Sequence, residues 1–212
     1  VFQERYPEKH RMSFSETPGL AHLHQVGLSS TGFYRTPDIG WDKQKGWGKP
    51  FNYFAFGMAV SEVEVDTLTG YVRHLRTDIL HDVGESINPR IDIGQVEGAY
   101  IQGLGWCTTE EVKHDANGNL LNHSPDTYKI PAFGDMPEDF RVQLLQGYPN
   151  PRAIRRSKAV AEPPFMLAFA TWLAIKDAVS SVGHHRQEPE FSLPATNEVI
   201  LLSIEKLRPA GR

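Results

Sequence analysis

Alternating apolar and polar side chains mark a β-hairpin in the middle of the chain. Phe51 to Asp66 is rich in aromatic and β-branched residues and ends in alternating valines and glutamates, as expected of a strand. Asp66 to Gly70 is typical of a turn that ends in glycine, and Tyr71 to Val83 repeats the strand pattern. The sequence therefore predicts two antiparallel strands joined at this turn.

Three later stretches carry the apolar spacing of helices. The first runs from about Pro89 to Glu110, and the last from about Ala195 to Leu207. Between them, Pro163-Pro164 can occupy only the first turn of a helix, because proline lacks the amide hydrogen that later turns need. The helix that follows, Phe165 to Val182, is apolar on nearly every face, so we expect other elements to surround it. The core side of the first helix would hold Ile91, Val96, Ile101 and Leu104.

The rest of the pattern completes an α+β fold, in which β-hairpins and a mixed sheet pack with two or three core helices. A second hairpin is predicted over Glu111 to His123 and a further strand over Phe140 to Leu145. Residues 1–40 hold no sustained apolar period and many glycines and prolines, so we interpret them as an arm or linker with an edge strand at Leu28 to Pro37. Residues 41–212 would form the folded part.

Four glycines interrupt the helix predicted at Pro89 to Glu110, namely Gly94, Gly98, Gly103 and Gly105. Each costs about 1 kcal/mol in a helix interior relative to alanine, so we expect a compensating role. Glycine lets a backbone approach another helix or a bulky ligand closely. The pattern indicates either tight packing or a ligand on this helix, and it does not choose between them.

Composition narrows the possible classes of function. The 212 residues carry a formal net charge of −4 with scattered lysine and arginine, without the basic stripe of a nucleic-acid-binding protein. Cys107 is the single cysteine, which excludes an internal disulfide and an iron–sulfur cluster ligated by this chain alone. No signal peptide opens the sequence and polar residues interrupt its longest apolar run, so we predict a soluble, cytoplasmic protein without a membrane partner.

Glu162 stands at the entrance of the helix that begins with two prolines. The neighbouring Ala161, Pro163 and Phe165 disfavour a charged carboxylate by desolvation, while the helix dipole and free amides favour it. A carboxylate in this setting could act as a general base near neutral pH. An acidic residue in a first helical turn is also a common stabilising feature with no catalytic role.

Seven short sequence blocks lie in order between Leu28 and Val182. They are Thr31-Gly32-Phe33-Tyr34-Arg35-Thr36-Pro37, Ser61-Glu62-Val63-Glu64-Val65-Asp66, Asp82-Val83-Gly84, Asn88-Pro89, Ile93-Gly94-Gln95-Val96-Glu97-Gly98, Tyr128-Lys129-Ile130-Pro131 and Lys158-Ala159-Val160-Ala161-Glu162-Pro163-Pro164. In sequence and spacing they resemble the molybdenum-binding part of the xanthine dehydrogenases, in the xanthine oxidase family. A lone short motif could not imitate this series of blocks.

The resemblance implies a purine hydroxylase built on molybdopterin, which oxidises hypoxanthine or xanthine to urate. Glu162 matches the family's general base, which takes a proton from a molybdenum-bound hydroxide while that oxygen attacks an electron-poor carbon. Gln95 matches the glutamine that hydrogen-bonds the molybdenum's oxo ligand, and Gly94 lies beside it. Ala161, next to the base and the cofactor, stands where the family usually has glycine. The metal itself makes no bond to the protein in this family.

The same resemblance implies the partners. Electrons would leave through 2Fe–2S centres and FAD on partner domains or subunits, and we expect an oligomer. The family's glycine-rich loop ending in Gly-Gln-Gly, its second pterin-contacting segment and its substrate-clamping residues are not found in this sequence. We therefore interpret residues 41–212 as the C-terminal part of a molybdopterin-binding domain, which needs the remaining chain of that domain to complete its site and is inactive alone.

Two other interpretations stay open. A hydroxylase of another aldehyde or N-heterocycle in the same family fits the same blocks, because the substrate-selecting residues are not among them. A non-catalytic structural fragment, or a docking module for flavin and iron–sulfur partners, fits them too. A hydrolase with two carboxylates is disfavoured, since no second acid shares the setting of Glu162.

Overall fold

The structure, a computed structural model, describes residues 13–208, and the chain divides into two units, Val1–Pro50 and Phe51–Arg212. The elements of the first unit are helix α1 (Glu16–Leu23) and strands β1 (Gly40–Asp42) and β2 (Trp47–Lys49). The two strands pair as an antiparallel hairpin. Between residues 13 and 50 no side chain is buried, so the described part of this unit has no core of its own.

Two expectations for the first unit are wrong. The predicted arm contains α1, whose start is fixed by polar contacts and not by apolar spacing. The Ser13 amide donates to the Glu16 carboxylate (2.9 Å), and the Glu16 amide donates to the Ser13 hydroxyl (3.3 Å). Leu28 to Pro37 forms no strand, since no strand of the described residues pairs with it. The arm boundary at residue 40 stays a prediction.

A mixed sheet forms the centre of the second unit. Its strands are β3 (Gly57–Val65), β4 (Val72–His81) and β5 (Asp139–Leu144), in the order β3-β4-β5. β3 and β4 are antiparallel, with a bulge between Glu62 and Val63, whereas β5 runs parallel to β4. The predicted hairpin, the strand near residues 140–145 and the mixed character of the sheet are confirmed.

The turn between β3 and β4 follows from local chemistry. The Asp66 carboxylate accepts the Leu68 amide (2.8 Å), and Gly70 closes the turn at φ +71°, a conformation that residues with side chains rarely adopt. β3 is shorter than predicted, because Phe51 to Phe56 leave the ladder and form a separate stretch that we call the 51–56 loop.

The predicted helices are present with small differences. They are α2 (Pro89–Thr108), α3 (Phe169–Val182) and α4 (Asn197–Leu207). Asn88 caps α2 by accepting the Ile91 amide (3.4 Å), and Thr196 caps α4 by accepting the Val199 amide (3.4 Å). Pro163–Ala168 is a 3₁₀ helix and not the start of a continuous α-helix, a tightening that is frequent at helix N-termini.

Buried hydroxyl groups tie the sheet to the two helices that pack on it. One hydroxyl comes from each of β3, β4, α2 and α3, and they are those of Ser61, Thr77, Tyr100 and Thr171. Each is within hydrogen-bonding distance of at least two others; the Tyr100 hydroxyl, for example, lies 3.0 Å from that of Thr77. Because buried polar groups are stable only when hydrogen-bonded, this cluster fixes the relative positions of four elements.

Helix α3 is less covered than its apolar sequence predicts. Thr171, Ile175 and Val179 are buried, but Leu173 is exposed, and so is Met166 in the preceding 3₁₀ helix. The prediction that other elements surround this helix is therefore wrong for the described residues. By length and mean hydropathy (1.4) alone, Pro163–Val182 would also qualify as a membrane-spanning helix, a test that a core helix passes too. One buried face and one exposed face are nevertheless typical of a helix on a protein core.

The second predicted hairpin is reduced to a single bridge. Residues 111–123 contain one antiparallel bridge, between His114 and Leu120. It surrounds a turn in which Asp115 accepts the amides of Asn117 and Asn119 (2.8 Å each). An isolated two-stranded ribbon is only marginally stable, which explains why this exposed segment extends no further. The α+β fold with a mixed sheet and core helices is confirmed.

Two histidines on β4 should make the stability of this unit depend on pH. Burial lowers the pKa of His74 and of His81 below the usual 6.5, because a charged imidazole would lose its hydration. As the pH falls below 6.5, the unfolded chain takes up protons that the folded chain does not. The free energy of unfolding should therefore decrease as the pH falls below that value. Above it, the unfolded chain no longer binds these protons, and this loss of stability is absent. Denaturant unfolding at a series of pH values measures it.

Matched variants separate this effect from general acid sensitivity. His74→Gln combined with His81→Gln should flatten the decrease, since the half-buried imidazole of His74 and the buried one of His81 are gone. The exposed His114 stays hydrated in both states, so His114→Gln should leave the decrease as it is. An unchanged slope in the double variant would contradict the assignment.

Candidate functional site

Glu162 lies where the sequence predicts it, at the entrance of the 3₁₀ helix Pro163–Ala168. Its side chain is exposed, as is Ala161, and its carboxylate has no hydrogen bond or ion pair among residues 13–208. The Glu162 carbonyl accepts the Phe165 amide (3.0 Å), so the main chain starts the helix while the side chain stays available. A carboxylate with no partner among these residues can accept a hydrogen bond or a proton from a group outside them.

A buried ion pair fixes the strand-like segment that leads to Glu162. Lys158 donates to the carboxylate of Asp82, whose side chain is only 2% exposed, against 11% for Lys158. The same ammonium group donates to the Phe54 carbonyl (2.8 Å) and lies 5.3 Å from the centre of the Phe56 ring. The Lys158 amide also donates to the Val83 carbonyl (2.8 Å). The segment is therefore held by both side-chain and main-chain contacts.

Gly84 explains why the Asp82-Val83-Gly84 block belongs with this segment. Gly84 has φ +65° and bridges to Ser157, and a Cβ on it would come within 2.6 Å of the Arg156 carbonyl oxygen. Its amide donates to Asp82 (2.8 Å), which satisfies the second oxygen of the buried carboxylate. Only glycine fits here. Two blocks that are distant in sequence thus form one structural unit.

The second predicted site element is the N-terminal half of α2. Gly94, Gln95 and Gly98 are exposed there, and a Cβ at either glycine would meet nothing within 4 Å. Gln95 has no hydrogen-bonding partner for its side chain in the described part of the chain. Ile91 is also exposed, which corrects the prediction that it faces the core. This face of α2 is open and follows the i, i+3, i+4 spacing of one helix side.

The C-terminal half of α2 is closely packed instead. A Cβ at Gly103 would collide with the Phe165 carbonyl oxygen, and one at Gly105 would collide with Pro131. The rings of Trp106 and Phe165 are also in tilted contact, with 5.5 Å between their centroids. Packing within the chain therefore explains two of the four helical glycines, and it explains neither Gly94 nor Gly98.

The structure brings the two candidate elements together but not the two side chains. The 3₁₀ helix that follows Glu162 packs on α2 at Gly103, and Gln95 lies eight residues earlier, about 12 Å along the helix axis. No hydrogen bond joins Gln95 to Glu162 within the described residues. Both side chains instead point away from protein partners, on elements that are fixed relative to one another by packing.

Other reactive groups do not form a site with these residues. Cys107 is buried, and burial raises the pKa of its thiol to about 11, which keeps it protonated and unreactive. Among residues 13–208 no cluster of three or more His, Cys, Asp or Glu side chains is arranged to hold a metal ion. Any metal held at this surface would need ligands from elsewhere.

Comparison with known families decides what kind of domain this is. A family model described as the molybdopterin cofactor-binding domain matches residues 1–137, which contain Gly94 and Gln95 and end before Glu162. The chain belongs to this family. Molybdopterin is thus the cofactor to which the open face of α2 must be compared.

Known relatives extend the comparison past residue 137. The xanthine dehydrogenase/oxidase of Felis catus is 57% identical over 167 residues, 79% of this chain, and that of Gallus gallus is 53% identical over 161 residues, 76% of this chain. This chain spans only 12% of the length of each relative. The quinoline 2-oxidoreductase structure from Pseudomonas putida 86 superposes with a TM-score of 0.62 at 31% identity, over 69% of this chain and 18% of that chain.

The open face of α2 fits a bound cofactor. Gly94 and Gly98 leave the helix backbone bare on the side where Gln95 presents an unpaired amide, so a flat polar molecule could contact both the backbone and the amide. We find no conflict between these residues and molybdopterin.

Sequence reasoning missed the residues that support the site. Lys158 and Asp82 lie within the recognised blocks, yet their separation of 76 positions hid the ion pair between them. Tyr53, which accepts the Ala159 amide (2.9 Å), carries no signal of its own. The charged residues in otherwise apolar blocks were the available indication, since buried charges require a partner.

Lys158→Met should destabilise the second unit strongly. Asp82 would keep a buried charge without its counter-ion, and such a loss costs about 3–5 kcal/mol. Denaturant unfolding of the variant measures the change in the free energy of unfolding. Lys113 forms an exposed pair with Glu111 (2.9 Å), so Lys113→Met is the matched control, with only a small expected loss because exposed pairs are screened by water. Equal small losses in both variants would show that the buried pair does not anchor the segment.

Proposed function

We propose that this chain is the C-terminal part of the molybdopterin-binding domain of a molybdenum hydroxylase that oxidises hypoxanthine and xanthine to urate. One observation carries the proposal: Gln95 and Glu162 stand on rigidly packed elements while neither side chain has a partner in the described chain. The high identity to xanthine dehydrogenase/oxidases supports a purine as substrate.

We propose the following roles for the residues on the open surface. Gly94 and Gly98 would allow molybdopterin to approach the α2 backbone, Gln95 would donate a hydrogen bond to it, and Ala161 would line the same wall beside Glu162. When bound, the cofactor supplies the two-electron oxidation of the substrate carbon. The protein's task is then to hold cofactor and substrate and to move a proton.

Glu162 is the proposed proton acceptor. A side chain at a helix entrance usually accepts an amide from the first turn, but Pro163 and Pro164 have no amide hydrogen and the Phe165 amide is already bonded to the Glu162 carbonyl. The carboxylate is therefore left without a donor among residues 13–208 and keeps its lone pairs for the reacting group. Closure of the site by the rest of the domain would exclude water and strengthen its basicity.

The remaining chemistry requires partners. The resemblance to the xanthine dehydrogenases implies that electrons pass to 2Fe–2S centres and FAD, and because a single buried cysteine cannot ligate such a cluster, we propose that these centres lie on other domains or subunits. The exposed apolar side chains of Met166 and Leu173 are consistent with burial against further parts of a larger enzyme. We propose a cytoplasmic, oligomeric enzyme.

A second candidate is a hydroxylase of another N-heterocycle or of an aldehyde. The 31% identical quinoline 2-oxidoreductase structure favours it, because the same fold there serves a protein named for a different N-heterocycle. Both candidates share the roles proposed for Gln95 and Glu162. They differ in the substrate, so parallel assays with xanthine, quinoline and an aldehyde distinguish them.

Glu162→Gln should abolish most turnover in the full-length enzyme that contains this segment. The amide keeps the size of the side chain but cannot accept the proton, so kcat should fall at least about 10²–10⁴-fold at matched molybdenum content. Steady-state assays with xanthine measure the loss. Glu190→Gln changes an exposed carboxylate elsewhere and should leave kcat as it is. Near-parent turnover by Glu162→Gln would refute its role as the base.

Gly94→Ala tests whether the cofactor occupies the open face of α2. Alanine should stabilise the helix by up to about 1 kcal/mol, because a Cβ there meets no protein atom. The same methyl group should obstruct the cofactor, so molybdenum and pterin content should fall while thermal stability of the cofactor-free protein rises. Gly19→Ala, in exposed helix α1, is the control for helix propensity alone. Full cofactor content in Gly94→Ala would place the cofactor elsewhere.

A further inference from the structure

We infer that Tyr53 is a positioning residue for Glu162, and this inference rests on the proposed function. The Glu162 carboxylate has no bond to the described chain, so its place is set by the main chain on either side of it. After Glu162 the chain is fixed by the buried Pro164 and by the contact of Phe165 with Gly103. What fixes the chain before Glu162 is therefore decisive.

The last polar anchor before Glu162 is the hydroxyl group of Tyr53. It accepts the Ala159 amide at 2.9 Å. Within the described chain, the amides of Val160, Ala161 and Glu162 donate to no other group. The Tyr53 hydroxyl is therefore the last group before the 3₁₀ helix that accepts a main-chain amide from this segment.

The loop that carries Tyr53 is itself held by hydrogen bonds to the main-chain carbonyl of every second residue. Arg152 donates to the Asn52 carbonyl (3.3 Å), and Lys158 donates to that of Phe54 (2.8 Å). The Asp82 amide donates to the Phe56 carbonyl (2.8 Å). The 51–56 loop has no regular secondary structure, so these contacts replace a sheet ladder. By holding the main chain on both sides of Tyr53, they fix the position from which its side chain extends.

This arrangement gives Tyr53 an effect on the base without contact with substrate or cofactor. If the hydroxyl is removed, residues 159–162 lose their hydrogen-bonded restraint and are held only by the packing of the Val160 side chain on the core, so the Glu162 carboxylate samples more orientations. A misplacement of about 1 Å at a reacting group costs up to about 10²-fold in rate. Substrate binding does not use this bond, so kcat should fall while KM changes little.

Tyr53→Phe in the full-length, molybdenum-loaded enzyme tests the inference, because the ring and its packing are kept. We expect kcat to fall roughly 10- to 100-fold at matched molybdenum content, with KM within about twofold. Tyr148→Phe removes an exposed hydroxyl and is the control, with unchanged kcat. Unchanged kcat in Tyr53→Phe would overturn the inference, as would a fall that merely follows lost molybdenum or lost stability.

A double-mutant cycle separates positioning from a structural role. If Tyr53 acts through Glu162, adding Tyr53→Phe to Glu162→Gln should cause no further fall in residual turnover. An equal further fall in that background would overturn the inference and leave the proposed function intact. If Glu162→Gln alone turned over xanthine at the parent rate, the proposed function would fail instead, whatever Tyr53→Phe does.

Discussion

The buried ion pair of Lys158 and Asp82 is the constraint on which the surface around Glu162 depends. Removing two charges from water costs several kcal/mol per ion, so such a pair is tolerated only when further hydrogen bonds to both ions offset that cost. Here Asp82 also accepts the Gly84 amide, and Lys158 also donates to the Phe54 carbonyl. These contacts hold the end of β4, the 51–56 loop and the segment before Glu162 in fixed relative positions.

The second unit has two open surfaces, one on the N-terminal half of α2 and one on α3. Gly94 and Gly98 have empty space where a side chain would lie, and Leu173 is an exposed apolar residue on a helix whose opposite face is core. This chain spans 12% of the length of the Felis catus relative. Side chains without partners, such as those of Gln95 and Glu162 among the described residues, on elements held in place by packing are the arrangement expected of one wall of a binding site.

Periodicity predicted those elements that local interactions determine. The turn between β3 and β4, and helices α2 and α4, were found close to their predicted positions, because turn and cap residues such as Asp66, Asn88 and Thr196 act on their neighbours. The sequence could not show the exposure of α3, which depends on distant parts of the chain. It also left the helical glycines ambiguous, until the backbone separated the packed Gly103 from the open Gly94.

The central claim is that the faces of α2 and of the Glu162 segment together form one wall of a molybdopterin site. The most direct measurement is an experimental structure of the cofactor-loaded enzyme that contains this segment. We expect density for the cofactor against the backbone of Gly94 and Gly98, with the Gln95 amide and the Glu162 carboxylate both facing it. Protein side chains packed over Gly94 and Gly98, with the cofactor bound elsewhere, would contradict the account.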